Sequence, residues 1–416
     1  MSKTKPFTIP KDLVVEAYKL VKANAGAAGV DQQSLADFDK DLKDNLYKIW
    51  NRMSSGTYFP PPVKAVPIPK KQGGERILGI PTVSDRIAQM VVKLVFEPIV
   101  EPYFYSDSYG YRPNKSALDA VGVTRQRCWQ YDWCLEFDIK GLFDNIDHEL
   151  LLKAVRKHTD IKWVILYLER WLKAPMQLPD GSLVGRTKGT PQGGVISPVL
   201  SNLFLHYVFD AWMTKHHPRA PWCRYADDGL AHCRTEQEAL QIRAVLKERF
   251  ETCKLELHPT KTKIVYCKDG NRKGQYPQTQ FDFLGYTFRR RKVRNKKRNS
   301  IFISFNPAVS KAASKSMRAE TRQRKFRNRV DLEIEEIATL YDPVLRGWMQ
   351  YYGRYYPSAL DPVLGHFNKT LVAWAMRKYK KLDGHKTQAA LFIQEIAKRE
   401  PQLFIHWRKG KVLRFA

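Results

Sequence analysis

Two adjacent carboxylates in the run Trp222-Cys223-Arg224-Tyr225-Ala226-Asp227-Asp228-Gly229-Leu230-Ala231-His232-Cys233 constrain this chain more than any other feature. Apolar and aromatic residues flank the pair and a glycine follows it, the pattern of two short strands joined by a tight turn. Neighbouring Asp side chains at a hairpin tip cannot both ionise comfortably unless a cation neutralises them, and hard oxygen ligands suit Mg²⁺. The same residues also suit a solvated Asp-Asp-Gly turn, because Asp and Gly serve turns for backbone reasons. The rest of the chain has to decide between the two.

A partner for such a site is suggested by charge. Lys and Arg number 71 against 42 Asp and Glu in 416 residues, a formal net charge of +29, and aromatic residues make up 12%. That length holds two or three domains with real cores. A large positive field with many aromatic rings favours a nucleic acid over a bare membrane surface, since bases stack on rings. Cysteines at 128, 134, 223, 233, 253 and 267 form no C-x-x-C pair, so neither a disulfide framework nor zinc is expected. Met1 to Pro10 has no signal-peptide core, and the uncharged stretch Gly189 to Phe209 is interrupted by Pro191, Gln192, Gly193, Gly194, Pro198 and Asn202. It reads as a loop feeding a buried helix, which leaves a soluble protein of a reducing compartment with no membrane partner.

In chain order, Leu13, Val14, Ala17, Leu20 and Val21 give a helical pattern that stops at Asn24 to Asp31, and one amphipathic piece follows from Leu35 to Met53. Val63, Ile68, Ile77 and Ile80 suit a β-hairpin turning at Gln72-Gly73-Gly74, which brings Lys70 and Arg76 near each other as a polyphosphate grip, or equally as the lysine- and proline-defended edge of a sheet. A helix capped by Ser84 carries Ile87, Met90, Val91, Leu94 and Val95. The aromatic and basic mixture Tyr103 to Ser116, with Arg112 at its centre, suits a template strand held by stacking and phosphate contacts. Cys134 to Ile139 reads as a strand ending at Asp138, which could equally cap the turn after it.

Gly189 to Pro198 is a Gly/Pro-rich loop that lets backbone approach a ligand, ending with Ser197 as N-cap and Pro198 at the first helical position. Thr235 to Glu238 is a capping box. Leu255 to Tyr266 and Phe281 to Phe288 read as further short strands. From Arg289 to Val330 there are 16 Lys/Arg and one acid, Glu320, a net of +15 interleaved with Phe302, Phe305 and Phe326. Such density argues for a phosphate-backbone track. The remaining stretch, Asp331 to Ala416, is helical in pattern with an aromatic stripe, and a domain boundary is placed near Pro307, giving 1–306 and 307–416.

Taken in order, these motifs resemble a reverse transcriptase, and more closely the reverse transcriptase/maturase encoded in bacterial group II introns. Tyr225-Ala226-Asp227-Asp228 matches the family's Y-x-D-D, Pro191-Gln192-Gly193 its P-Q-G loop, and Phe137-Asp138-Ile139 with Phe143 its first catalytic strand. Ile68 to Pro81 matches the fingers motif, Tyr111-Arg112-Pro113 the next one, and Asn24 to Asp31 the N-terminal extension of the intron-encoded branch. Nothing with paired cysteines follows Cys267, so the resemblance is to the shorter class without an endonuclease.

The resemblance implies an α+β right-hand polymerase fold, with fingers and palm in 1–306 and a helical thumb/maturase (X) domain in 307–416. It implies RNA-directed DNA polymerase activity on an RNA template with a DNA or RNA primer and dNTP. Asp138, Asp227 and Asp228 would be the catalytic carboxylates, and with the carbonyl of Ile139 would hold two Mg²⁺ ions (Mn²⁺ substituting) about 3.5–4 Å apart. Lys70, Arg76, Phe143 and Gln192 would meet the nucleotide, Phe143 as a gate against the ribose 2′-hydroxyl. Arg112 would contact template, and Arg322, Arg324, Lys325, Arg327 and Arg329 a structured intron RNA during splicing. A bacterial cytoplasmic protein, at the nucleoid when on DNA, is implied. A free-standing reverse transcriptase of intron origin, for repair or defence, shares all these motifs. A purely RNA-binding splicing factor would tolerate loss of the three Asp residues.

Overall fold

The computed structural model describes residues 5–69, 74–295 and 299–412. Eleven strands lie among them: β1 (Val63–Pro69), β2 (Glu75–Ile80), β3 (Trp133–Asp138), β4 (Met176–Gln177), β5 (Leu183–Val184), β6 (Trp222–Tyr225), β7 (Asp228–Cys233), β8 (Lys263–Tyr266), β9 (Gln280–Phe283), β10 (Tyr286–Asn295) and β11 (Ser300–Val309). They form three sheets, ordered β2-β1-β4-β5, β6-β7-β3-β8 and β11-β10-β9, with helices making up most of the rest, an α+β protein. No helix of the described residues is long and apolar enough to cross a membrane.

The contacts define two compact units, one of Met1–Ala120 with Leu135–Ile264 and one of Val121–Cys134 with Val265–Ala416. This differs from a division at 306/307, because the basic strands β10 and β11 and the helical turns at 121–130 pack with the C-terminal residues; the composition shift marks charge, not packing. Within the second unit Arg125 Nε donates to Asn306 Oδ1 at 2.8 Å and Trp129 Nε1 to the Phe305 carbonyl at 3.0 Å.

The first unit grows from local signals. β1 and β2 pair antiparallel, with Ile68 opposite Arg76 and Pro69 opposite Glu75. The next helix spans Val83–Val100 and is capped by Thr82, whose side chain accepts from the Asp85 N–H, not by Ser84. The amphipathic piece expected as one helix is two, Leu35–Lys40 and Leu42–Ser54, broken at Asp41 (φ −120°, ψ 41°). Ile196, not Ser197, is the N-cap of the buried helix Ser197–Leu205, which runs on through a π-helical segment, His206–Asp210, into Ala211–His216. Under the carboxylate-bearing strands lies an aromatic core in which Phe137 meets Phe209 (ring centroids 4.9 Å) and Phe250 (5.9 Å), and Phe209 meets Trp222 (5.4 Å). The run Leu255 to Tyr266 forms a strand only at Lys263–Tyr266, with a single bridge from Leu257 to Ile139 before it.

In the second unit the stretch Phe281 to Phe288 is a hairpin, not one strand. Leu284 (φ 50°) and Gly285 (φ 78°) turn the chain between β9 and β10, both in the left-handed region that two-residue hairpins use. Ten register pairs, from Tyr286↔Val309 to Asn295↔Ser300, join β10 to β11, so the strand passes straight through Pro307. A proline is tolerated there because β11 is an edge strand. Behind the ribbon, Phe326, Tyr341, Phe367, Trp374 and Phe404 anchor a helical core.

Candidate active site

β6 and β7 pair so that Tyr225 lies opposite Asp228, leaving Ala226 and Asp227 as the turn. The turn is entered through a positive φ at Ala226 (57°). β3 lies beside β7 and ends in Asp138, so the third carboxylate comes to the same end of the sheet. The two strands pack closely: a Cβ built on Gly229 would lie 2.1 Å from the Phe137 ring, and only glycine can follow Asp228. The residues beside this contact, Asp138 and Asp228, are thereby drawn together.

The convergence has electrostatic consequences. Burial, then the charge of Asp138, raises the Asp227 carboxyl above its usual range. Asp228 is hemmed in by protein while part of its surface stays open to solvent, and that partial burial, with the charges of Asp227 and Asp138, lifts it to about 7. Lys261 partly offsets this repulsion: its Nζ lies 2.7 Å from Asp138 Oδ2, and that hydrogen bond raises the Lys261 pKa. Among the described residues no three or more Asp, Glu, His or Cys side chains are grouped so as to hold a metal ion by themselves. Mg²⁺ bound with a polyphosphate takes part of its shell from phosphate and water and needs only one or two carboxylates from the protein, so an open set of acids fits it. The Lys261 ammonium already pairs with one member of this set, Asp138.

Other elements carry the remaining candidates. Phe143 follows the left-handed Gly141 (φ 57°) and is half-buried, its ring edge-on to Tyr111 (6.4 Å, 77°). Burial, then the charge of Asp227, raises the Tyr111 hydroxyl pKa, and Arg76 opposes the shift, so Tyr111 stands within electrostatic range of both. The Gln192 carbonyl accepts from the Gly79 N–H at 2.8 Å, tying the Pro191-Gln192-Gly193 loop to β2. Gln89, itself held by Asp85, accepts from the Ile196 N–H at 3.3 Å at the far end of that loop. Lys70 lies outside the described residues.

Arg112 does not face a template. Its side chain is 6% exposed and pairs with Glu101, while its guanidinium donates to the carbonyls of Tyr105 (2.6 Å) and Ser108 (2.8 Å). It anchors the aromatic loop from within. The sequence assigned no site role to Lys261, to Tyr111 beyond its place in the Tyr111-Arg112-Pro113 motif, or to the pair Arg224 and Asp210; a lysine between Pro259 and Lys263 in a short polar stretch was the only signal for the first.

In the second unit, Arg322, Arg324, Lys325, Arg327 and Arg329 are all exposed, around the end of the helix Lys311–Gln323 and the turn after it. Arg324 pairs with Glu320 and Arg329 with Asp331, both at 2.7 Å. Arg322, Lys325 and Arg327 form no ion pair among the described residues. Arg291 on the ribbon turns inward, donating to the carbonyls of Asn306 and Thr287.

Residues 68–288 match the family described as reverse transcriptase (RNA-dependent DNA polymerase), and residues 314–390 the maturase-specific domain of group II introns. Among relatives, Protein YkfC of Escherichia coli is 31% identical over 326 residues, 68% of this chain and 81% of that protein. The group II intron-encoded protein LtrA of Lactococcus lactis is 35% identical over 204 residues, 48% of this chain but only 33% of LtrA. Among solved structures, telomerase from Candida albicans, in complex with a telomeric RNA fragment, aligns with 92% of this chain and 69% of that one at 12% identity and a TM-score of 0.46, too loose a likeness to build on.

Proposed function

The chain belongs to the reverse transcriptase family in its group II intron branch, and from that premise we propose how it extends a primer: Asp138, Asp227 and Asp228, with the carbonyl of Ile139, hold two Mg²⁺ ions, for which Mn²⁺ substitutes, where the primer 3′ end meets a dNTP on an RNA template. The observation that carries this reading is the meeting of Asp138 at the end of β3 with the Asp227-Asp228 turn on the adjacent strand. Divalent ions bound there supply activation of the primer hydroxyl and neutralise charge on the leaving pyrophosphate. The chain's own residues do the rest. Asp138 and Asp227 orient the ions, and Asp228 adds charge at the rim.

Lys261, paired with Asp138, places a positive charge beside the proposed ligands. Arg76, on the exposed strand β2, meets the triphosphate; Lys70 joins it on the strength of the fingers motif alone. Gln192 lies along the nucleotide from a loop whose backbone β2 fixes. The exposed cations around 322–329, within the maturase-specific segment, bind the intron RNA whose splicing the protein assists. Such a protein works in the bacterial cytoplasm, and at the nucleoid when it acts on DNA.

Phe143 is the sugar gate in this reading, and single-nucleotide incorporation on an RNA template tests both. Wild type should add dNTP with Mg²⁺ and strongly reject rNTP; no incorporation with Mg²⁺ or Mn²⁺ would refute the polymerase assignment to this site. Phe143→Ala should cut the dNTP preference by about tenfold or more, because the ring's steric block is worth at least the ~1.4 kcal/mol of one decade. Its stability cost should fall below the ~3–5 kcal/mol of a buried Phe, since the ring is only half-buried. An unchanged dNTP/rNTP ratio in a folded variant would make Phe143 a packing residue.

A further inference from the structure

Behind the metal-binding turn lies a charged pair that the chemistry above does not use. Arg224 and Asp210 are both 0% exposed. Arg224 Nε and one terminal nitrogen donate to the two Asp210 oxygens, each at 2.7 Å, in a fork-to-fork pair. That nitrogen also donates to Ser108 Oγ at 2.8 Å; the other donates to Asn202 Oδ1 at 3.1 Å and to the carbonyl of Ala226 at 3.0 Å. A buried ion pair is weak support for a fold, because well-packed apolar residues of the same volume stabilise as much or more. What apolar residues could not do is grip the Ala226 carbonyl.

That carbonyl belongs to the peptide whose nitrogen is Asp227. Because the peptide unit is planar, fixing its oxygen fixes the plane from which the Asp227 side chain departs. The preceding peptide is held as well: a Cβ on Gly110 would lie 2.4 Å from the Ala226 nitrogen, so the Gly110 backbone rests directly on the turn. Asn202 closes the circuit, since its Nδ2 donates to the Gly110 carbonyl at 2.7 Å while its Oδ1 accepts from Arg224. Holding a non-glycine residue at φ 57° has a conformational cost, and this circuit meets it.

The helix carrying Asn202 and Asp210 is shaped for the purpose. Two α-helical turns take about seven residues, so residues eight apart would diverge by most of a quarter turn. The π-helical segment His206–Asp210 absorbs one extra residue, which brings both side chains onto the face that meets the guanidinium.

We propose that the Arg224–Asp210 pair is the positioning device of the divalent-ion site, holding Asp227 in its ligating orientation through the Ala226 carbonyl. This rests on Asp227 being a metal ligand as proposed above. Lysine at 224 could neutralise Asp210, but an ammonium cannot span these acceptors as a planar fork does. The test is Mn²⁺ binding to the full-length protein, followed by the free-ion electron paramagnetic resonance signal, beside primer–template affinity and single-turnover extension.

Arg224→Lys should weaken Mn²⁺ by about tenfold or more, the scale of a lost charged hydrogen bond, and slow extension in step, with primer–template affinity within about twofold. Adding Ala226→Gly to that variant should restore part of the Mn²⁺ affinity, since glycine takes positive φ without a tether. A purely structural role would leave Mn²⁺ affinity as in wild type, or give no rescue, and either result overturns the proposal. If Arg224→Lys does not fold, Ser108→Ala, which removes one hydrogen bond of the network, decides: a severalfold loss of Mn²⁺ affinity supports the proposal and no loss overturns it. Asp227→Asn separates the two levels. If it binds Mn²⁺ as wild type does, the metal site itself is misassigned; if it does not while Arg224→Lys does, the site stands and the positioning role falls.

Discussion

Asp227→Asn should lose primer extension by about 10³-fold or more while keeping RNA affinity within about twofold. Asparagine preserves the size of the side chain and one acceptor but removes the charge that a divalent cation requires. A catalytic metal stabilises several kcal/mol of developing charge, and each ~1.4 kcal/mol is a decade in rate. The affinity for RNA should survive because the proposal assigns it to basic side chains and not to this carboxylate. Removing this charge also removes one of the causes that raise Asp228. Single-turnover extension and an equilibrium binding titration on the same preparation check both halves. A variant that extends within tenfold of wild type would refute the site.

Neutralising Arg322, Arg324, Lys325, Arg327 and Arg329 together should weaken binding to a large structured RNA and flatten its salt dependence. Each phosphate contact contributes about 0.7–0.9 to the log–log slope. Arg324 and Arg329 already pair with Glu320 and Asp331, so their counterions are partly replaced in the free protein. The three others should therefore account for most of a slope reduction of about 2–3. Affinity for a short primer–template should fall much less, because the proposed extension site is built from first-unit residues. Salt titrations with both ligands make the comparison. Equal losses on both would mean that this surface serves primer extension and not intron binding.

Where sequence sufficed, the signals were local. A two-residue turn between apolar strands, a Pro-Gln-Gly loop ahead of an uncharged helix, and a strand closing on Asp138 are each set by residues within a few positions, and all are present as expected. Pairing across the chain is not written in that way. Arg112 reads as an RNA contact among aromatic residues until Glu101 and two carbonyls are seen to hold it. Lys261 is one lysine among several until β3 brings Asp138 to it, and Arg224 is only a member of the strand before the turn until a π-helical segment supplies Asp210.

The two compact units were hidden for the same reason, since residues 121–134 join a partner more than a hundred positions downstream. At the Leu284-Gly285 turn the difficulty was different. Leucine rarely takes positive φ, so nothing in its side chain announces a hairpin there.

The metal site can be located without reference to activity. Fe²⁺ replacing Mg²⁺ in the purified protein, with ascorbate and peroxide, generates hydroxyl radicals at the bound ion, and they cut the backbone beside it. Mass spectrometry of the fragments should place the cuts at residues 138–139 and around 226–229, competed away by excess Mg²⁺ and lost in Asp138→Asn. Cuts elsewhere, or cuts at these positions that persist unchanged in Asp138→Asn, would contradict a divalent-ion centre built on Asp138, Asp227 and Asp228.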